Sequence, residues 1–395
     1  MTKVSFETTP TGRGALALFR ECINSISLNY FQLSIFNFPL YTFHFSFSFQ
    51  LSPSNSILLS MNQSNPYDLS QEHISRVDEP VIEESRKGFG VWLNIVLFLA
   101  TFFTTTVAGV FWANRDFYNL DNLHYGLTYS ILIMLVISTH EFGHYFAARY
   151  HKVPVTLPYY IPFPFVSLNP FGTMGAVIKM KASNYSKKAL LDIGAAGPIA
   201  GWITSLVILA IGFITLPPIS FLYDLHPEYA TSGIPTSGFT FGNNLIFLAF
   251  GKLFVNTSAS FMPPMNEVYH YPFLCVGWFG LLITSLNMMP VGQLDGGHIS
   301  YAMFGDKHKY IAYIVFSMLM FFGLLGLLPL LDINLNIGSI NWLVWAVLIF
   351  FVIKIKHPDT VTELDEPLGT GRMLIGWFTF FIFVVSFCPV PVFEA

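Results

Sequence analysis

Apolar runs of the length that crosses the hydrocarbon of a bilayer, about 20 residues of helix, recur along the chain. They lie at Val91–Ala113, Tyr125–Tyr150, Ala189–Leu216, Pro272–Pro290, Tyr310–Leu330, Ile340–Ile355 and Met373–Val392. The pattern predicts an all-α polytopic membrane protein of about seven transmembrane helices. Between the second and third runs, Leu157–Pro170 carries Pro158, Pro162, Pro164 and Pro170 among aromatics. Proline at that density excludes a regular helix, and the segment reads as a re-entrant loop. Ala176–Lys181 then alternates in part and reads as an edge strand, so a re-entrant loop or β-hairpin is expected between helices 2 and 3. An edge strand can hold an extended peptide by β-augmentation; a hairpin that only covers the site is the plainer alternative. One further apolar run, Asn244–Val255, is too short to cross and reads as interfacial.

Positive charge orients the runs, because Lys and Arg collect in short cytoplasmic loops. Lys152–Lys188 holds five lysines and no acid, and further basic pairs sit at Arg86–Lys87, at Lys307 with Lys309, and at Lys354 with Lys356. All fall on one side if seven runs cross. The opposite connections, Asn114–His124 and Pro217–Tyr271, carry only Arg115 and Lys252. The N-terminal side is therefore expected to be cytoplasmic.

Ahead of the first run, residues 1–60 form an atypical extension, rich in Phe and Ser from Phe31 to Ser60. It reads either as a targeting segment or as codons lying upstream of a true start at Met61. Residues 61–90 read as a polar, acidic cytoplasmic tail, and 91–392 as the membrane domain.

Composition agrees with the bilayer. Hydrophobic residues make up 53% of 395 and charged residues 11%, with a mean hydropathy of +0.56, where a soluble domain carries roughly a quarter charged residues. A net charge of -4, with 19 Lys and Arg in short clusters, provides no basic face for a nucleic acid. Cys22, Cys275 and Cys388 lie far apart, which gives neither a disulfide framework nor a cysteine metal site.

Chemistry enters in the second run, which contains His140-Glu141-Phe142-Gly143-His144. Residues four apart share a helix face, so both imidazoles reach one zinc ion while Glu141 stands beside it. Glu141 would take a proton from a water acidified there, let the hydroxide attack a carbonyl, and pass the proton to the leaving amine. Three ionisable groups inside a lipid-spanning segment are costly and mark function or pairing. A catalytic zinc usually has three protein ligands, so two histidines leave one to be found. The fourth run ends Asn287-Met288-Met289-Pro290-Val291-Gly292-Gln293-Leu294-Asp295-Gly296-Gly297-His298. Pro290 should break the helix and the glycines allow a close turn, which presents Asp295 at the same side of the membrane as His140. Read alone, Asp295-Gly296-Gly297 is also plain turn chemistry. His298 reads as a solvated turn residue, with a substitute ligand or a hydrogen-bond donor behind the ligands as the alternative, and His151 and His308, beside lysines, read as surface residues.

These motifs in this order resemble the site-2 protease family of intramembrane zinc metalloproteases. The pairing of His140-Glu141-x-x-His144 with Asn287-x-x-Pro290-x-x-x-x-Asp295-Gly296-Gly297 carries the likeness. Gly194-Ala195-Ala196-Gly197-Pro198-Ile199-Ala200-Gly201 is similar to that family's Gly-Pro helix motif, and its small residues suit close helix packing. Gly172-Thr173-Met174-Gly175 and Pro290–Asp295 look closest to the PDZ-less branch of bacteria and plastids. The resemblance implies that His140, His144 and Asp295 bind Zn2+, that Glu141 is the catalytic acid/base, and that Asn287 engages the substrate or the oxyanion. It also implies that the substrates are transmembrane proteins cut within the bilayer. A bacterial inner membrane is the expected location, with the site toward the cytoplasm. Two other readings stand beside it: a transporter or channel using the His, Glu and Asp cluster as an ion path, and a catalytically silent member that binds helices.

Overall fold

The computed structural model describes residues 90–394, apart from 181–185, 256–260, 332, 334–336 and 359–366. The expectations for residues 1–89 lie outside the described residues. In chain order the helices and strands are α1 Gly90–Trp112, α2 Leu123–Tyr150, β1 Tyr159–Pro162, β2 Thr173–Val177 and α3 Lys187–Ile214. Then follow α4 Ser220–Leu225, α5 Tyr229–Ser232, β3 Phe239–Phe241, α6 Leu245–Phe254 and α7 Pro272–Asn287. The chain closes with α8 Asp295–Phe304, α9 His308–Leu325, α10 Asn341–Leu348, α11 Thr370–Ser386 and β4 Val392–Glu394.

Every apolar run of the sequence is helical. Four helical stretches, Gly90–Trp112, Leu120–Tyr150, Lys187–Ile214 and Asp295–Leu331, are long and apolar enough to cross a membrane. α6, α7, α10 with its π-helical extension to Ile353, and α11 are shorter apolar helices.

Unlike a soluble protein, this bundle exposes an apolar surface, and α1 buries a row of hydroxyls. Val91, Trp92, Leu99 and Phe103 point outward from α1, whereas Thr101, Thr104, Thr105 and Thr106 are buried. Each buried hydroxyl apart from that of Thr101 is satisfied: Thr106 Oγ1 donates to Phe102 O at 2.7 Å, and Thr105 Oγ1 meets Ser130 Oγ of α2 at 2.7 Å. Such a surface suits hydrocarbon, where helices gain little from hiding apolar groups and associate through small residues and hydrogen bonds. Close approach follows at Gly109 and Gly126, where a side chain on either would strike the partner backbone of α2 or α1.

α3 is the central helix, packed on α2, α7, α8 and α11. Ser186 caps its start by accepting from Ala189 N at 3.1 Å. Arg372 at the start of α11 donates from Nη2 to Asp192 of α3 at 2.8 Å, and His151 at the end of α2 reaches the same carboxylate at 2.8 Å. His151 is thus paired and partly buried, not a free surface residue.

β1 and β2 form an antiparallel hairpin between α2 and α3, with Tyr159 opposite Val177 and Tyr160 opposite Ala176. The strand begins at Thr173, three residues before the stretch whose alternation suggested it. Its partner lies inside the Pro-rich segment, because Pro162 ends β1 and removes no amide from the middle of the ladder.

Candidate metal centre

α2 turns His140, Glu141 and His144 inward, and all three are buried. Their neighbour is the small-residue face of α3. A side chain at Gly197 would overlap the His144 imidazole, and one at Gly201 would come within 3.2 Å of His140 Cβ. Glycine at these two positions, one helical turn apart, seats the two imidazoles, themselves one turn apart on α2. The small residues of the Gly-Pro segment therefore do more than let two helices approach.

Pro198 interrupts the hydrogen-bond ladder of α3 at the same level. One turn earlier, the Ile193 carbonyl accepts from His144 Nδ1 at 2.7 Å. A carbonyl only accepts, so the proton of His144 sits on Nδ1 and Nε2 presents a lone pair. That atom lies 3.1 Å from His140 Nε2.

The third donor comes from α8. α7 ends at Asn287, Gly292 takes a positive φ of 54°, and α8 starts at Asp295 itself. Gly296 and Gly297 pack against the carbonyls of Met288 and Gly292, where any side chain would collide. This tight reversal brings Asp295 Oδ2 to 3.4 Å from both His140 Nε2 and His144 Nε2. Donors 2.0–2.1 Å from a tetrahedral ion sit about 3.3–3.4 Å from one another. The three measured separations, 3.1, 3.4 and 3.4 Å, fit a zinc-sized cation.

Asn287 Nδ2 lies 3.4 Å from His140 Nε2. Glu141, Asn287 and the three donors line one cavity of about 270 Å³, whose opposite wall includes Ala176, Val177 and Ile178 at the end of β2. The structure thus brings together all five site residues named from the sequence. His298 also lines the cavity and meets His357 Nε2 through Nδ1 at 2.6 Å, so it is not a solvated turn residue. His308 is likewise not on the surface: its neighbour Lys307 is exposed and Lys309 half-buried, but the turn at Gly305, with φ 56°, places the His308 ring inward against Tyr301 and His357. Gly197 and Gly201 had a legible signal, the matching four-residue spacing on two helices. His357 had none.

Fold and site together define a helical membrane protein whose His-Glu-x-x-His helix is completed by an aspartate delivered from a broken helix. Residues 128–328 match Peptidase family M50, and the chain belongs to that family. It is 29% identical over 266 residues to the probable zinc metalloprotease EGY2, chloroplastic, of Oryza sativa subsp. indica, covering 66% of this chain and 43% of the relative. The Arabidopsis thaliana protein of the same name is 26% identical over 275 residues, covering 70% and 44%. The probable zinc metalloprotease EGY1, chloroplastic, of Arabidopsis thaliana is 27% identical over 264 residues, covering 67% and 42%. The chain spans less than half the length of these relatives. No solved structure matches it. The expected bacterial inner membrane gains no support from relatives named as chloroplastic.

Proposed function

We propose that the chain is a zinc-dependent intramembrane endopeptidase that cuts transmembrane segments of other proteins. The observation that carries this reading is the convergence of His140 Nε2, His144 Nε2 and Asp295 Oδ2 within 3.4 Å, beside Glu141 in one cavity. His140, His144 and Asp295 would hold the zinc. When bound there, zinc supplies a Lewis acid that acidifies water and polarises a substrate carbonyl. Glu141 takes the proton from the attacking water and delivers it to the leaving nitrogen. Asn287, at the mouth of the same cavity, donates its amide hydrogens to the carbonyl oxygen as negative charge builds there.

The β-hairpin gives the substrate its conformation. A peptide bond inside a helix is shielded by its own hydrogen bonds, so a transmembrane helix has to unwind before cleavage. Val177 and Ile178 line the cavity at the end of β2 and offer an edge for an extended segment. The proposed topology is seven crossings, made by α1, α2, α3, α7, α9, α10 and α11, with α6 lying in the interface, and with the catalytic end and the turn at Lys307 between α8 and α9 on the lysine-rich cytoplasmic side.

Glu141→Gln, assayed by cleavage of a co-expressed single-span substrate, is the test. Loss of the base should lower cleavage on the order of 10³-fold, with zinc content unchanged. Undiminished cleavage by Glu141→Gln refutes the mechanism.

A further inference from the structure

A second cluster of metal-type donors occurs at the opposite end of the bundle. His226, which follows α4, and Glu267 and His270, which precede α7, place one nitrogen or oxygen each within 4.8 Å of one another. Their end is fixed by His270 Nδ1, which reaches the carbonyl of Trp112, the last residue of α1, at 2.8 Å. α2 begins shortly after, and His140 lies seventeen residues along it, about 25 Å of helix away. The two clusters are therefore separate.

The protons of the second cluster can be placed. A carbonyl only accepts, so His270 carries its proton on Nδ1 and presents a lone pair from Nε2. His226 Nδ1 faces the Glu228 carboxylate at 3.1 Å, which also only accepts, so its Nε2 is likewise a lone pair. The two Nε2 atoms face each other at 3.1 Å. With both rings neutral, two lone pairs at that distance repel unless a proton or a metal cation lies between them. Asn114 Nδ2 stands 3.3 Å from His226 Nε2, and its amide, once turned, directs its oxygen to the same point. Asn114 is held in place by its left-handed φ of 52° in the turn that closes α1, where Asn114 N donates to Phe111 O and Arg115 N to Val110 O.

Glu267 supplies the anion. Its side chain is 2% exposed, Tyr229 donates to Oε1 at 3.1 Å, and Oε2 has no hydrogen-bond partner among the described residues. That oxygen sits 3.5 Å from His270 Nε2. An ionised carboxylate oxygen buried without a partner is costly, and a cation shared with the two imidazoles removes the cost. Tyr229 also stacks on His226 at 4.5 Å between ring centres, so one side chain orients two donors. Two of the three spacings, 3.1 and 3.5 Å, are close to those of the first site, the third donor pair lies within 4.8 Å, and one histidine is again anchored through Nδ1 to a backbone carbonyl.

We infer that His226, Glu267 and His270 bind a second divalent transition-metal ion, which fastens the connection between α3 and α7 to the end of α1. Two imidazoles and a carboxylate suit zinc and its first-row neighbours, not calcium or magnesium. The role is structural: the donors come from one excursion of the chain and bring no general base like Glu141.

The test uses the full chain in detergent, stripped with chelator, reloaded with zinc, and read by elemental analysis. Wild type should hold two equivalents per chain, His144→Ala one, Glu267→Gln one, and the double variant none. Cobalt added to stripped His144→Ala should give the visible bands of a low-symmetry site, lost on adding Glu267→Gln. Because Glu267→Gln keeps its shape, a cooperative thermal unfolding transition and retention of the equivalent held with His144 report that the variant is folded. Loss of all metal from His144→Ala overturns the proposal and means that a shared proton holds the two imidazoles; an unchanged count in Glu267→Gln also overturns it and means that Glu267 is not a ligand. A wild type with one equivalent, lost only in Glu267→Gln, would instead overturn the catalytic-site reading and leave this one standing.

Discussion

Two glycines of α3 set the packing around the two histidines of the candidate site. Gly197 lies so close to the His144 ring that a methyl group there has no room, while Gly201 leaves 3.2 Å to His140 Cβ. Gly197→Ala should rotate the His144 imidazole away from the Ile193 carbonyl, and losing such an orienting bond costs on the order of 10–100-fold in metal affinity. Gly201→Ala needs a shift of a few tenths of an ångström and should cost far less. Competition between each variant and a chelator for zinc measures the difference. Equal affinities in the two variants would show that α3 does not seat the imidazoles.

At the scale of elements, the reversal between α7 and α8 decides where Asp295 stands. Gly296 packs directly on the Met288 carbonyl, so Gly296→Ala forces α8 away from the end of α7 and carries Asp295 with it. Gly305, at the other end of α8, has open space around it but a φ of 56°. Both substitutions should destabilise the fold by about 1–3 kcal/mol, one through collision and one through backbone strain. Only Gly296→Ala should also remove the zinc equivalent held with His144. Thermal unfolding and metal analysis on the same two samples separate the effects; retention of that zinc by Gly296→Ala would show that the glycine does not position the ligand.

The same elements show what a sequence can and cannot convey. Long apolar runs and a four-residue histidine spacing are local signals, and the helices and the face of α2 follow from them directly. The break at Pro290 was legible because proline and glycine act on their own backbone. The hairpin lies between helices 2 and 3 as expected, but its second strand begins three residues earlier than the alternation suggested, since β2 is five residues long and its boundaries depend on pairing with β1. His308 misled because the charge of its neighbours says nothing about the direction a turn gives its own ring. His226 and His270 stand 44 residues apart in no motif, and only folding of the α3–α7 connection onto Trp112 brings them together.

For the whole molecule, the apolar outer surface and the two donor clusters lead to a testable prediction of its placement in a bilayer. α2 and α3 each contain 28 residues, about 42 Å of helix, which exceeds a hydrocarbon core of about 30 Å. Their ends therefore emerge on both sides. Exposed Lys307 belongs to the catalytic end, since the adjoining α8 packs on α11, whose Arg372 pairs with Asp192 near the start of α3. Exposed Ser237 belongs to the other end, in the connection that carries His226 and His270. Cys275 and Cys388 are buried. Lys307→Cys and Ser237→Cys, each in a Cys22→Ser background, should therefore react with a membrane-impermeant maleimide from opposite faces of sealed vesicles. The lysine-rich end should be cytoplasmic, so intact cells should label Ser237→Cys, and Lys307→Cys should label only after the membrane is opened. Labelling of both positions from one face would sink the proposed topology, and with it the assignment of catalytic and structural metals to opposite sides of the membrane.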